Sequence, residues 1–297
     1  QYNLSIGYTH DAAYILSAGG DQLGLSRSYI TSFLMQNGLP YYADGSGYKG
    51  DLSVSMEKEG RDERLQLFVF GEEDIVRSDP ADPAVAKNNE AVILDTIPLV
   101  TSSVELQDFT GYRPRKYYNY DYDQYKSNTI ICTTGAIVFR AAEAYLNLAE
   151  VYLYEKNVQK AVEMLNATRT THGQLKASTA STLEDAWKDY KRERVCEFVF
   201  EGSNLYFSML RWGIANSTNA TFADGYADAD VVKELETPAT KIYISGDRKR
   251  MAVGYITYSD QYSRKFTPEH RYMMPIPQGF IDDRAAYGIT TTQTPGW

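Results

Sequence analysis

The residues that most often bind metals or act as nucleophiles are scarce in this chain. Its 297 residues include two cysteines, Cys132 and Cys196, and three histidines, His10, His172 and His270, far apart in sequence. Two cysteines are too few for a disulfide framework, and their separation matches no metal-binding spacing. H-E-x-x-H, the phosphate-binding P-loop and G-x-S-x-G are absent. The sequence therefore marks no metal, no cofactor and no nucleophile. Basic charge is also short: 30 Lys and Arg against 39 Asp and Glu give a net charge of -9 and a pI near 5.0. Nucleic acid is excluded as a partner, because phosphate recognition needs a cationic face. No apolar run approaches the roughly 18 residues of a membrane helix. Gln1 opens the chain with neither a Met nor a signal peptide, from which a processed or cut start is expected.

What the chain has in excess is tyrosine, 25 against 11 Phe and 3 Trp. Tyrosine joins an apolar ring to a polar tip and suits wet, amphipathic contacts. Such residues either seal loops onto a core or form a surface for a ligand with flat and hydroxylated parts, such as a sugar.

Residues 1–60 read as loop-rich with short helices. A helix is expected through about Met35, ended by Asn37-Gly38 with Pro40 behind it. Leu65, Leu67 and Val69 alternate within 64–70, which predicts a strand. A polar, proline-bearing loop covers 71–91. Short β-like runs and a tyrosine cluster (Tyr112, Tyr117, Tyr118, Tyr120, Tyr122, Tyr125) follow to residue 130. From Val138 the pattern is helical, with Val138, Ala142, Tyr145, Ala149 and Tyr152 on one face. Asn157 turns the chain, and Val158, Ala161 and Leu165 mark a second helix to about Thr168. This close-packed αα-hairpin, 138–168, has the shape of a tetratricopeptide unit, and one unit cannot bury its own faces. Thr182 caps a third helix, 182–201, with Glu184 and Asp185 in its first turn. A short helical stretch reaches Arg211, residues 214–270 read as irregular, and the tail reads as Pro/Gly-punctuated loop. The expected fold is mainly α: a tetratricopeptide-like hairpin packed with a loop-rich, Tyr-rich region containing a few short strands.

Residues 193–213, E-R-V-C-E-F-V-F-E-G-S-N-L-Y-F-S-M-L-R-W-G, put charge where a helix buries its core. Arg194 lies on the inward stripe Trp187, Tyr190, Arg194, Phe198. Glu193, Glu197 and Glu201 recur every four residues, a spacing at which like charges repel. One reading is chemical: helical carboxylates four apart sit about 6 Å from each other, within the range glycoside hydrolysis uses. The other is structural, with Arg194 and cations such as Arg140 or Arg211 pairing the carboxylates, since buried charges persist only when paired. Trp187 and Trp212, inside these helical motifs, are expected in the core.

R-A-A-E-A-Y-L-N-L-A-E (140–150), A-V-E-M-L-N-A-T-R (161–169), E-R-V-C-E-F-V-F-E-G (193–202) and L-R-W-G (210–213) occur in an order that resembles the SusD/RagB family. N-G-L-P (37–40) with G-R-D-E-R-L (60–65), and M-P-I-P (274–277) with Q-T-P-G-W (293–297), agree with it. Glu63 departs from the family, which usually has Pro there. The resemblance implies a mostly helical, non-catalytic protein at the cell surface of Bacteroidota. It would bind an oligosaccharide, or in some members a peptide, and deliver it to a SusC-like TonB-dependent transporter of the outer membrane. It also implies that 1–297 is the C-terminal part of a longer protein, with a lipid anchor and further helix pairs upstream. Ligand-contacting aromatics in the family tend to lie upstream of the segment matched at 60–65. That favours Tyr8, Tyr14, Tyr41, Tyr42 and Tyr48 as ligand-binding residues, with Asn37 and Asp44 as polar partners. The charged stretch then reads as a structural ion network of Arg140, Glu193, Arg194, Glu197, Glu201 and Arg211.

Overall fold

The computed structural model describes residues 24–77, 92–93, 111–117, 137–201, 204–216, 240–244, 251–257, 274–294 and 297. The chain divides into two compact units: Gln1–Gly202 with Ala239–Thr257, and Ser203–Pro238 with Tyr258–Trp297.

Three short helices open the first unit, and each begins at a polar cap. Ser26 accepts the Tyr29 N–H ahead of α1 (Arg27–Ser32), and Ser53 accepts that of Met56 ahead of α2 (Val54–Lys58). Asp62 accepts that of Arg64 ahead of α3 (Glu63–Phe68). Each cap satisfies a donor the helix cannot. α1 stops at Ser32, short of the expected Met35, and Phe33 is already extended. Asn37-Gly38 then makes a separate turn, with the Gly38 N–H on the Met35 carbonyl.

The segment 64–70, predicted as a strand, is mostly α3. Leu65 and Val69, four residues apart, are both buried, whereas Leu67 between them is 53% exposed. The alternation of Leu65, Leu67 and Val69 fits either period, and the Asp62 cap selects the helix. Only Val69 keeps strand character, in a single bridge to Pro114. Two small antiparallel pairs make up the strands among the described residues. β1 (Ile75–Arg77) pairs with β2 (Val92–Ile93), and β3 (Thr240–Ile244) pairs with β4 (Met251–Thr257), Thr240 opposite Thr257. The second pair lies in a stretch that reads as irregular in the sequence.

α4 (Ala141–Tyr154) and α5 (Val158–Thr171) form the hairpin. Lys156 turns the chain at φ +59, and Asn157 caps α5 by accepting the Lys160 N–H. Ala142 and Ala149 are buried, as are Ala161 and Leu165 across the hairpin. Val138 and Tyr145 are exposed; Leu146, Glu150 and Leu153 take their place on the inner face. The reason is that the backbone is still extended at Arg140, so Val138 never joins the helix. α6 (Leu183–Glu197) packs on both helices after the expected Thr182 cap. It ends at Glu197, earlier than the sequence suggests. Phe198 closes it, Phe200 turns at φ +58, and Glu201 leaves the helical line.

Leu25, Ile30, Phe33, Val54, Leu65, Val69, Tyr112 and Cys196 form one core cluster. α6 therefore serves two layers: its face meets the hairpin, and its C-terminal end enters the core of the short helices. Each fully buried Leu, Ile, Val or Phe side chain contributes about 1.5–3 kcal/mol.

In the second unit, α7 (Asn204–Asn216) runs past Arg211, with Ser208, Leu210 and Trp212 buried. The tail is not all loop, since α8 (Gln278–Ala286) starts after Pro277. The Gln293 amide clasps Ile276, accepting its N–H at 2.7 Å and donating to its carbonyl at 2.8 Å. The M-P-I-P and Q-T-P-G-W segments are thereby held together.

Candidate functional site

Arg64, at the start of α3, is the hub of a buried ion network. Its Nε and Nη2 donate to the two Asp62 oxygens at 2.9 and 2.6 Å. Nη1 and Nη2 donate to Glu193 at 2.5 and 3.1 Å, and Nη1 reaches Glu197 Oε2 at 2.7 Å. Thr168 of α5 donates to Glu193 Oε1 at 2.7 Å. Arg140, just before α4, pairs with Glu197 Oε1 and donates to Glu201 Oε2 at 2.7 Å. Lys116 also pairs with Glu201, and His172 Nδ1 lies 2.7 Å from Glu197 Oε1. Arg64, Arg140 and Lys116 thus face Asp62, Glu193, Glu197 and Glu201. Three cations meet four carboxylates, with His172 on the most shared of them. Burial alone would raise the Glu197 carboxyl, but the Arg64 and Arg140 guanidiniums hold it down at about 2.

Gly173 allows this packing. A Cβ there would stand 2.8 Å from the Arg169 carbonyl oxygen and 2.9 Å from Arg64 Nη2. Arg194 is buried on the other side of α6 and donates to Asn147 Oδ1 of α4 at 2.8 Å. Beside it, the Tyr190 hydroxyl donates to buried Glu150 at 2.5 Å. The guanidiniums of Arg140 and Arg194 each lie 4.9 Å from the Phe198 ring centroid. Trp187 is only half-buried, edge-on to Tyr154 and Tyr190. Arg211 sits in the second unit, where its guanidinium reaches Ser208 Oγ at 3.5 Å. Cys196 is a free, buried thiol.

A second charged cluster supports the tyrosine loop. Arg27 Nη1 lies 2.5 Å from Glu57 Oε1 and donates to the Tyr112 hydroxyl at 2.6 Å, which itself donates to Glu57 Oε2 at 2.7 Å. Arg61 Nη2 takes the Ile30 and Phe33 carbonyls at 2.6 and 2.8 Å, satisfying the C-terminal end of α1. Burial pushes the Glu57 carboxyl up despite Arg27 beside it. The Arg61 guanidinium is 5.6 Å from the Tyr41 ring centroid and 5.9 Å from that of Tyr48, within cation–π range. Tyr41 is edge-on to both Tyr42 and Tyr48.

Asn37 fastens this loop. Its Nδ2 donates to the carbonyls of Gly45 and Ser46, each at 3.2 Å, and its Oδ1 accepts the Leu39 N–H at 3.0 Å. Ser46 Oγ donates to the Tyr41 carbonyl at 2.8 Å. Tyr41 and Tyr48 are half-buried and Asp44 is exposed, while Tyr42 stands 76% exposed. Of the sequence-derived ligand residues, Asn37, Tyr41, Tyr42, Asp44 and Tyr48 therefore share one loop; Tyr8 and Tyr14 lie outside the described residues. Residues 45–50, G-S-G-Y-K-G, match the glycine spacing of a dinucleotide-binding loop. They follow no strand and open no long helix, so that context is missing. In the tyrosine cluster, Tyr112 is core and Tyr117 is half-buried; Tyr118, Tyr120, Tyr122 and Tyr125 lie outside the described residues.

Sequence reasoning missed Arg64, Asp62, Lys116, Thr168 and His172, and beneath the loop Arg27, Glu57 and Arg61. The one available signal was charge balance: buried glutamates demand cations, and R-D-E-R at 61–64 supplies two.

Among the described residues no helix is long and apolar enough to cross a membrane, and no His, Cys, Asp and Glu group could hold a metal. A family model described as the SusD family matches residues 1–297. The chain is similar to the crystal structure of a SusD-like protein from Bacteroides fragilis NCTC 9343. The TM-score is 0.68 at 20% identity, over 96% of this chain and 50% of that one. The chain thus spans half the length of that structure. Among curated proteins, none matches.

Proposed function

The chain belongs to the SusD family, and from that premise we propose that it captures an oligosaccharide at the cell surface without cleaving it. In this reading the ligand passes to a SusC-like TonB-dependent transporter of the outer membrane, and a lipid anchor upstream of this sequence holds the protein there. The family match over residues 1–297 carries the reading. The loop of Tyr41, Tyr42 and Tyr48 supports it locally. A tyrosine ring braced from behind by a neighbouring ring can stack on the apolar face of a sugar, and a preformed platform loses little entropy on binding. In this reading Asp44, exposed on the same loop, accepts sugar hydroxyls.

The state of the glutamates supports binding over hydrolysis. Glycoside hydrolysis needs one carboxyl held protonated as the acid. Glu197 is held ionised by two guanidiniums, and Glu193 and Glu201 are each committed to cations.

Calorimetric titration with neutral oligosaccharides and with peptides tests this. Saccharide binding that Tyr42→Ala weakens about tenfold, with no release of reducing ends, is the expected result. Peptide binding without saccharide binding would reassign the ligand. Polysaccharide turnover abolished by Glu197→Gln in a folded protein would overturn the binding-only reading.

A further inference from the structure

A cleft of about 400 Å³ opens against the ion network, away from the tyrosine loop's own residues. Arg140, Lys116, Glu197 and Glu201 lie at its back, and Leu67, Phe68 and Ile137 supply its apolar wall. Glu63, Arg64, Thr171, His172 and Gln174 complete the lining. The size is that of a small-ligand pocket.

Charge decides what such a cleft can hold. Its lining carries three cations, Arg64, Lys116 and Arg140, and three carboxylates, Glu63, Glu197 and Glu201. The buried ones are committed to each other: Arg140 to Glu197 and Glu201, Lys116 to Glu201, Arg64 to Glu197. An entering anion would have to break those pairs and would meet the uncommitted Glu63 carboxylate, and no His, Cys, Asp and Glu group among the described residues could hold a metal. The groups left over are the Glu63 carboxylate and neutral donors and acceptors around an apolar patch. His172 spends Nδ1 on Glu197 and keeps Nε2. No hydrogen bond among the described contacts engages the side chains of Glu63, Thr171 or Gln174. Leu67, unlike its buried helix neighbours Arg64 and Leu65, is more than half exposed.

The wall is also held in an uncommon backbone conformation. Gln174 sits at φ +52, the left-handed region that non-glycine residues seldom occupy. Gly173 before it is pressed against Arg169 and Arg64, and after it the Leu175 N–H is tied to the Arg169 carbonyl and the Lys176 N–H to that of Gln36. Such conformations persist where the surroundings enforce them, and they cluster at ligand sites.

We propose that this cleft is a second subsite for a neutral, polyhydroxylated ring. A sugar ring offers the matching pair of surfaces: a C–H face for Leu67, Phe68 and Ile137, and hydroxyls for Glu63, Thr171, His172 Nε2 and Gln174. The identity of the ligand as a saccharide rests on the function proposed above.

The test uses the whole chain with maltotriose, cellotriose and xylotriose as probes. Gln174→Gly and Glu63→Gln leave the network pairs intact, and glycine suits the left-handed backbone. In Tyr42→Ala protein, each should weaken the remaining saccharide binding about tenfold, the loss expected for one hydrogen bond at a charged or oriented group. The His172 imidazole resonances should shift on saturation. Saccharide binding that both variants leave unchanged overturns the cleft proposal alone and spares the function. Absence of binding to every saccharide overturns the function and this proposal with it.

Discussion

Arg64 grips Glu193 with both terminal nitrogens, at 2.5 and 3.1 Å, across 129 residues of sequence. Neither side chain is more than 3% exposed. This one pair ties the start of α3 to α6. Removing one partner of such a pair leaves the other buried and uncompensated, at about 3–5 kcal/mol. Arg64→Ala should therefore lower the unfolding free energy measured in urea by that amount, with a lower midpoint at unchanged slope. Arg64→Lys should recover only part of the loss, because an ammonium cannot reproduce the planar fork that serves Asp62, Glu193 and Glu197 together. A wild-type midpoint for Arg64→Ala would show the network to be energetically idle.

Glu197 and Glu57 are both buried glutamates, and they titrate in opposite directions. Glu197 is held at about 2, below its ordinary 4.5, as two guanidiniums outweigh burial. Its contribution is complete above pH 4.5 and is lost as pH falls toward 2, amounting to roughly 3 kcal/mol. Glu57 is raised, chiefly by burial. Its contribution is present at low pH and is lost as pH rises through its folded pKa. Urea midpoints between pH 7 and pH 3 should therefore fall less steeply in Glu197→Gln than in wild type, and more steeply in Glu57→Gln. Parallel slopes in all three proteins would contradict these assignments.

The hairpin was legible in the sequence because its signals are local. Ala142, Ala149, Ala161 and Leu165 recur at helical spacing, and Asn157 caps the second helix three residues after the first ends. Where two periods fitted the same residues, as with Leu65 and Val69, the sequence misled, and a single capping aspartate decided the outcome. The charged stretch showed that cations were needed without showing which. Arg64 and Lys116 come from 129 and 85 residues away, and that proximity is a product of the fold. The tyrosine loop was found by composition and by family resemblance. Its bracing by Arg61 was not, since nothing in R-D-E-R signals which arginine faces an aromatic ring.

Gly173 has no conformational need for glycine, because its backbone is not left-handed. Its requirement is space: a methyl group would press on the Arg169 carbonyl at 2.8 Å and on Arg64 Nη2 at 2.9 Å. The first neighbour is backbone and the second is the hub of the network, so neither yields cheaply. Gly173→Ala should destabilise by about 1–3 kcal/mol, the usual range for overpacking. The loss should shrink in an Arg64→Ala background, where the crowded nitrogen is gone. Thermal melts of the four proteins of this cycle give the coupling directly. Full additivity would place the strain at Arg169 alone.

Asn37 and Tyr42 lie on the same loop and should fail in different ways. Asn37 makes three hydrogen bonds, all to backbone of its own loop. It is a positioning residue: it fixes the turn that presents Tyr41 and Tyr42. Tyr42 has most of its surface in solvent, so its removal costs the fold little. Tyr42→Ala should lower saccharide affinity with thermal stability within about 0.5 kcal/mol of wild type. Asn37→Ala should cost about 1 kcal/mol of stability, because two carbonyls and one N–H lose their partner at an exposed site where water can replace it in part. It should also weaken binding through a less ordered platform, with the loss appearing as a more unfavourable binding entropy in calorimetry. Asn37→Asp separates the two roles further. It keeps the acceptor for the Leu39 N–H but turns both donated bonds into repulsion between oxygens, so it should be the most damaging of the three to the loop. If Asn37→Asp bound saccharide as wild type does while Tyr42→Ala did not, Tyr42 would act without the loop's support, and the platform would reduce to a single exposed ring.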